Sequence, residues 1–246
     1  MIAFKNIKKS FGPKVVIDDV SFEIKKGQVQ FIIGMSGTGK SVLMKHLVGL
    51  LKPDSGEVWL DGENIAQFDE RAFYRVRKKC GMVFQHSTLF DSMTILENIA
   101  MPIRKHNPVS RKEAEAQAMA ALDLVSLGKE ASRFPPELGA VVRKRAAIAR
   151  AIALKPDYLI YDEPTTALDP IAARRVDHLI REMSDKTGVT SLVVSHDVKS
   201  IFGISDSVAF LYRSKLHFLG SKEALAASTD PVVKQFIGGL SEGPIS

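Results

Sequence analysis

The stretch VQFIIGMSGTGKS (29–41) constrains this chain more than any other. A short, largely apolar run leads directly into a glycine-rich turn that ends in Lys40-Ser41. The run predicts a strand buried on both faces. Gly34, Gly37 and Gly39 allow the backbone to turn tightly, so that its N–H groups converge on phosphate oxygens. The segment Gly34-Met35-Ser36-Gly37-Thr38-Gly39-Lys40-Ser41 fits G-x-x-x-x-G-K-[ST], with Val42 next in the helix that must follow. The start of that helix adds a positive end. Lys40 is suited to the β- and γ-phosphates of a nucleotide, and the Ser41 hydroxyl to Mg²⁺. Many reaction classes use such a loop, so the chemistry rests on residues downstream.

The remaining punctuation suits an α/β chain. IAFKNIKKSF and VVIDDVSFEI read as paired antiparallel strands. GEVWLDGENI places Asp61-Gly62 at a hairpin turn. SRKEAEAQAMAALDLVSLG (110–128) reads as a helix opened by a Ser110/Glu113 capping box and ended at Gly128. DYLIYDE (157–163) and TSLVVSHD (190–197) read as strands. The helix between them has Asp169 as N-cap, Pro170 in its first position and Gly188 past its end. DSVAFLYRSKLHFLG reads as a closing hairpin. Strands alternating with helices predict a mostly parallel α/β sheet, with the helical middle as an inserted lobe.

YLIYDEP ends an apolar strand in two acids. The strand would deliver Asp162 to its C-terminal end, near the phosphate loop, to hold Mg²⁺ through water. Glu163 then has no metal duty and is placed to polarise an attacking water. His196, at the end of LVVSH, is suited to a γ-phosphate contact or to bracing that geometry. The other histidines, His46, His86, His106, His178 and His217, carry no supporting pattern and read as surface or packing residues.

Composition excludes little. Cys80 is the lone cysteine, so no internal disulfide is available and a reducing compartment is expected. No leader-like apolar segment opens the sequence, and no run approaches the roughly 18 apolar residues of a membrane span. The net charge of +6 permits contact with nucleic acid or anionic membranes. The basic residues are scattered, however, densest in RAFYRVRKK (71–79) and RKR (143–145), and read as a solvated surface.

GMSGTGKS, VFQ, RAAIARAIALKPDYLIYDEP, TALD and VVSHD stand in the order found in the ATP-binding subunits of ABC transporters, and the chain resembles that family over nearly its whole length. The resemblance implies a P-loop NTPase (RecA-like) core with a mostly parallel sheet, an N-terminal antiparallel β subdomain and an inserted α-helical subdomain. It divides a single domain into a core of about 1–88 and 150–230, a helical part of about 89–149 and a tail of about 231–246. It implies ATP and Mg²⁺ as cofactors. Phe11 would stack on adenine, although by its own pattern it also fits hairpin packing. Gln85 would contact Mg²⁺ and sense a membrane partner. Glu163 would be the catalytic base, Asp169 part of a loop crossing a dimer interface, and His196 the switch histidine. The implied partners are a second copy of the chain and an integral-membrane permease. The residues after Gln85, with SVLMKHLVGLLKPDSGEVWLDG and the tail, are similar to ATPases of Mla-type phospholipid transporters. That similarity adds an MCE-type substrate-binding protein, a small cytoplasmic accessory subunit and a place on the cytoplasmic face of the bacterial inner membrane.

One segment departs from the family. Where its signature reads roughly L-S-G-G-Q, this chain has Leu138-Gly139-Ala140-Val141-Val142. Gly139 offers no hydroxyl to a phosphate, and Ala140 and Val141 add Cβ atoms where backbone is expected to approach one. If that backbone needs a positive φ, each non-glycine residue costs about 1–2 kcal/mol. Losing one preorganised donor lowers rates by roughly 10²–10³, so the expectation is normal ATP binding with weak dimer closure and slow hydrolysis. The alternatives are near-normal activity through backbone N–H groups, the ATPase of another ABC importer, a nucleotide-gated module with little turnover, and a soluble ABC ATPase acting on nucleic acid.

Overall fold

The computed structural model describes residues 1–245. The chain opens with strands β1 (Ile2–Phe11) and β2 (Lys14–Ile24), paired antiparallel, then β3 (Val29–Gly34) and helix α1 (Lys40–Leu47). Next come β4 (Ser55–Leu60), β5 (Glu63–Asn64), α2 (Glu70–Lys79) and β6 (Cys80–Val83). Helices α3 (Ile95–His106), α4 (Arg111–Leu124) and α5 (Ala140–Ile152) follow. The chain then returns through β7 (Tyr158–Asp162), α6 (Pro170–Thr187), β8 (Thr190–Val194), α7 (Val198–Ile204), β9 (Ser207–Tyr212) and β10 (Lys215–Gly220), and ends in α8 (Lys222–Ala226) and α9 (Pro231–Gly238).

Two sheets result. β2-β1-β4-β5 is antiparallel, and β10-β9-β3-β8-β7-β6 is parallel except for β10. Alternation along the central strands divides the core. Val29, Phe31, Ile33, Leu159, Tyr161 and Phe210 face the layer of α3–α7. Ile32, Tyr158, Ile160, Leu192 and Val194 face the antiparallel sheet and Leu43, Met44 and Leu47 of α1. β3 is buried along its whole length, as its sequence predicts.

The capped elements form where the local signals stand. Asp61 and Gly62 take φ of 49° and 88°, a two-residue turn between β4 and β5. Asp169 caps α6, Pro170 opens it and Gly188 ends it at φ 69°. Ser110 and Glu113 close the box on α4, and Thr94 and Glu97 form a second box on α3. The expected end of α4 at Gly128 is wrong. α4 stops at Leu124, and Ser126, at φ 54°, takes the left-handed position; Leu127 N–H donates to the Leu122 carbonyl and Ser126 N–H to that of Asp123. Gly128 instead lies past the helix, as the first residue of a short 3-10 turn over 128–130. The closing hairpin β9–β10 turns through Arg213 and Ser214, both at positive φ without glycine. Ser214 Oγ donates to the Val15 carbonyl and Ser214 O accepts from Asp18 N–H, so this turn is tied to β2.

The tail is packed rather than loose. Buried Gln235 accepts from Ile245 N–H at 2.7 Å and donates to the Leu240 and Ile245 carbonyls, while Phe236 stacks on Phe210. Half-buried Cys80 has its thiol pKa pushed up to about 12 by burial, which keeps it unreactive. No helix among the described residues is long and apolar enough to cross a membrane.

Candidate active site

The loop between β3 and α1 is shaped by what surrounds it. Gly34 sits at φ 147°, and a Cβ there would fall 2.4 Å from the Leu211 carbonyl. Gly39 sits at φ 96°, and a Cβ would meet Val16 O and Ile17 Cγ1 at 2.9 Å. Both positions therefore exclude any side chain, by conformation and by space. Thr38 closes the loop through its hydroxyl to the Met35 carbonyl at 2.8 Å. Gly39 is also the N-cap of α1 and has no side chain to satisfy the first-turn N–H groups, which leaves them to an anion. The Lys40 ammonium folds back onto the Gly34 and Met35 carbonyls at 2.8 and 2.9 Å. Burial lowers its pKa, an effect opposed by Glu163 and Asp162.

Loop, strand end and switch segment converge. Ser41 Oγ donates to Asp162 Oδ1 at 3.1 Å. Glu163 takes a left-handed φ of 51°, its N–H donating to the Val194 carbonyl at 3.0 Å. That turn aims its carboxylate at His196, whose Nδ1 lies 2.8 Å from Glu163 Oε2; the imidazole is 62% exposed and the carboxylate 16%. Thr166 Oγ1 donates to the same oxygen at 3.1 Å. A cleft of about 350 Å³ opens over the loop, lined by Phe11, Lys14, Val16, Ser36, Gly37, Gly39, Lys40, Ser41, Val42 and Glu163. Phe11 is 46% exposed there, available to a flat ring.

Not every expected residue joins this cluster. Gln85 lines a second cleft, of about 340 Å³, with Asp91, Ala140, Arg143, Lys144 and Thr166. Gly139 is the N-cap and Ala140 the first residue of α5. Gly139 has φ −66° and ψ 160°, and Ala140 and Val141 are helical, so the feared positive-φ strain is absent. The chain turns into a helix at that point, and helix geometry accepts a Cβ at every position. Asp169 spends one carboxylate oxygen on the Ile171 and Ala172 N–H groups.

The reading of RKR (143–145) as solvated surface is wrong for Lys144, which is buried, and Arg150 was passed over. Lys144 donates to the Phe84 and Gln85 carbonyls at 3.1 and 2.6 Å, and Arg150 to the Thr88 carbonyl at 2.8 Å. Together they hold the loop after β6 onto α5. The signal was present: Lys144 shares a helix face with Ala147, Ile148 and Ala151, all buried.

A phosphate loop closing a parallel strand, with an Asp-Glu pair at the end of a second strand of the same sheet, defines a P-loop nucleoside triphosphatase. The family model for ABC transporters matches residues 17–166. The chain is 37% identical over 245 residues to the intermembrane phospholipid transport ATP-binding protein MlaF of Escherichia coli K12, spanning 100% of this chain and 91% of that protein. It is 38% identical over 244 residues to mkl of Mycobacterium leprae, named as a probable ribonucleotide transport ATP-binding protein, spanning 99% of this chain and 70% of that one. A dimeric ATP-binding cassette solved in a post-hydrolysis state with ADP and Pi superposes with a TM-score of 0.80 at 29% identity, covering 90% of this chain and 98% of that one. The cbiO1 subunit of a Clostridium perfringens ABC transporter complex gives 0.86 at 25% identity, covering 92% and 90%. The chain belongs to the ABC transporter family, as an ATP-binding subunit whose ATP hydrolysis is coupled to transport.

Proposed function

We propose that this subunit drives phospholipid movement between bacterial membranes, from the cytoplasmic face of an inner membrane. The 37% identity to MlaF, spread over the whole chain, supports the cargo class. The observation that carries the chemistry is the pairing of Glu163 with His196 beside the Ser41–Asp162 contact.

Lys40 leaves the loop carbonyls for the β- and γ-phosphates, and Phe11 receives adenine. The residues present fit Mg²⁺, which binds through one or two protein oxygens, phosphates and water. Ser41 and Asp162, already within hydrogen-bond distance, would hold it, and the ion would neutralise charge on the phosphate oxygens. Glu163 takes a proton from water as its oxygen bonds to the γ-phosphorus and the bond to the ADP oxygen breaks. His196 holds the Glu163 carboxylate toward that water and would contact the γ-phosphate. Gln85 lines the neighbouring cleft and would contact the metal from there. Asp169 and the α5 N-terminus face a second copy of the chain. The partners are a permease, an MCE-type substrate-binding protein and a small accessory subunit.

Glu163→Gln is the direct test. Hydrolysis should fall by 10² or more while ATP affinity stays within a few-fold; unchanged turnover would end this assignment of the site. Cargo is tested by co-purifying the membrane subunit and identifying bound molecules. Nucleotide cargo in place of phospholipid would favour the reading suggested by mkl.

A further inference from the structure

The segment linking β8 to α7 is three residues long: Ser195, His196 and Asp197. Its first residue is pinned to β3, Ser195 N–H donating to the Ile32 carbonyl at 3.3 Å. Its last is pinned to α6. Arg174, in the second turn of α6, donates to the Asp197 carboxylate and to Ser200 Oγ at 3.1 Å. The other side of the guanidinium pairs with Asp177 at 2.7 Å, and Ser200 Oγ donates to the same Asp177 oxygen at 3.0 Å. Asp177 is only 3% exposed, so this fork is clamped from behind. Asp197 meanwhile caps α7 through the Lys199 and Ser200 N–H groups. Among the described residues, the exposed His196 ring has one side-chain partner, Glu163 Oε2. Its direction is therefore set by the two pins on either side of it.

We infer that Arg174 is a positioning residue for ATP hydrolysis, holding Asp197 against α6 so that His196 Nδ1 stays on the Glu163 carboxylate. This rests on the reading of Glu163 and His196 as the hydrolytic pair. It also gives a mechanical route between sites: α6 is capped by Asp169, in the segment proposed to face the second copy, so a shift of that helix moves the His196 anchor. A planar, two-sided fork suits this task, because one guanidinium meets Asp177 on one side and Asp197 and Ser200 on the other.

The test is steady-state ATP hydrolysis and equilibrium ATP binding by the full chain in its assembled complex. Arg174→Gln should lower kcat by about 10–100-fold, the scale of a small misplacement of a reacting group, with KM and ATP affinity within about two-fold. Arg174→Lys should recover part of the loss. Should Arg174→Gln not fold, Asp177→Asn removes the rear charge and should lower kcat in the same selective way, by a smaller factor. Native kcat in the folded Arg174 or Asp177 variant, while Glu163→Gln is inactive, overturns the positioning role and leaves the site assignment standing. Equal losses in kcat and ATP affinity also overturn it, assigning Arg174 to general stability. Full turnover in Glu163→Gln overturns the underlying assignment instead.

Discussion

Ser41 Oγ and Asp162 Oδ1 meet at 3.1 Å across 121 residues of chain, joining the first turn of α1 to the end of β7. Ser41→Ala removes one of these two oxygens without disturbing the loop glycines. ATP affinity in Mg²⁺ should fall by roughly 10–100-fold, the value of a contact to a charged group, while affinity measured in EDTA barely changes. Calorimetric titrations with and without Mg²⁺ read this; equal stimulation by the ion in both proteins would contradict the assignment.

The altered signature lets activity and stability be moved in opposite directions. Gly139→Ser/Ala140→Gly/Val141→Gly restores the family pattern at the start of α5. Hydrolysis by the complex should rise by roughly 10²–10³ if the missing donors limit turnover. Two glycines in the first helical turn should cost up to about 2 kcal/mol, less a few tenths returned by a serine N-cap. Turnover and urea melts together decide it, and equal rates would show that the native segment is sufficient.

Asp61 ties the β4–β5 turn to the parallel sheet. It accepts from Tyr158 Oη at 2.6 Å and pairs with Lys26, the Met1 ammonium and Lys79. Burial pushes its carboxyl up, but Tyr158 and then the cations outweigh this and hold its pKa well below the usual carboxylate range. The folded pKa lies under the unfolded one, so this stability is full above about pH 4 and is lost as pH falls toward the folded value. Asp61→Asn keeps the left-handed turn, which Asn tolerates. It should lose about 1.5–3 kcal/mol at neutral pH, and the gap to the native protein should narrow below pH 4. Denaturant melts across that range read the difference; a constant gap would refute it.

Lys144 has the opposite sign. Burial lowers its pKa to about 8 from the ordinary 10.5. Between those values the unfolded chain binds a proton that the folded one has released, so this residue's contribution to stability rises with pH over that window. Lys144→Gln should remove that rise. The stability difference, native minus variant, should therefore increase from pH 8 to pH 10 in chemical denaturation; a flat difference would show that the lysine stays charged in the fold.

Much of the site was legible because it is built locally. A phosphate loop, an Asp-Gly turn and an Asp-Pro helix start each depend on a few consecutive residues and their allowed backbone angles. Thus Gly34, Lys40, Asp61 and Asp169 behave as their neighbours in sequence dictate. The misreading of Gly128 shows the limit, since Ser126 takes the left-handed position at the end of α4 and no glycine marks it in the sequence. Arg213 and Ser214 show it again, because their left-handed turn lacks glycine and is held by partners on β2.

The sequence by itself determined which atoms could bind phosphate and a metal, and that apolar strands would carry the acids to a sheet end. Only the tertiary structure decided which groups meet: Glu163 with His196, Arg174 with Asp197, and Lys144 with the Gln85 carbonyl. Those pairings follow from the strand order β10-β9-β3-β8-β7-β6 and from helices packed across it. Such contacts join residues far apart in the chain, where no local periodicity or turn rule reaches.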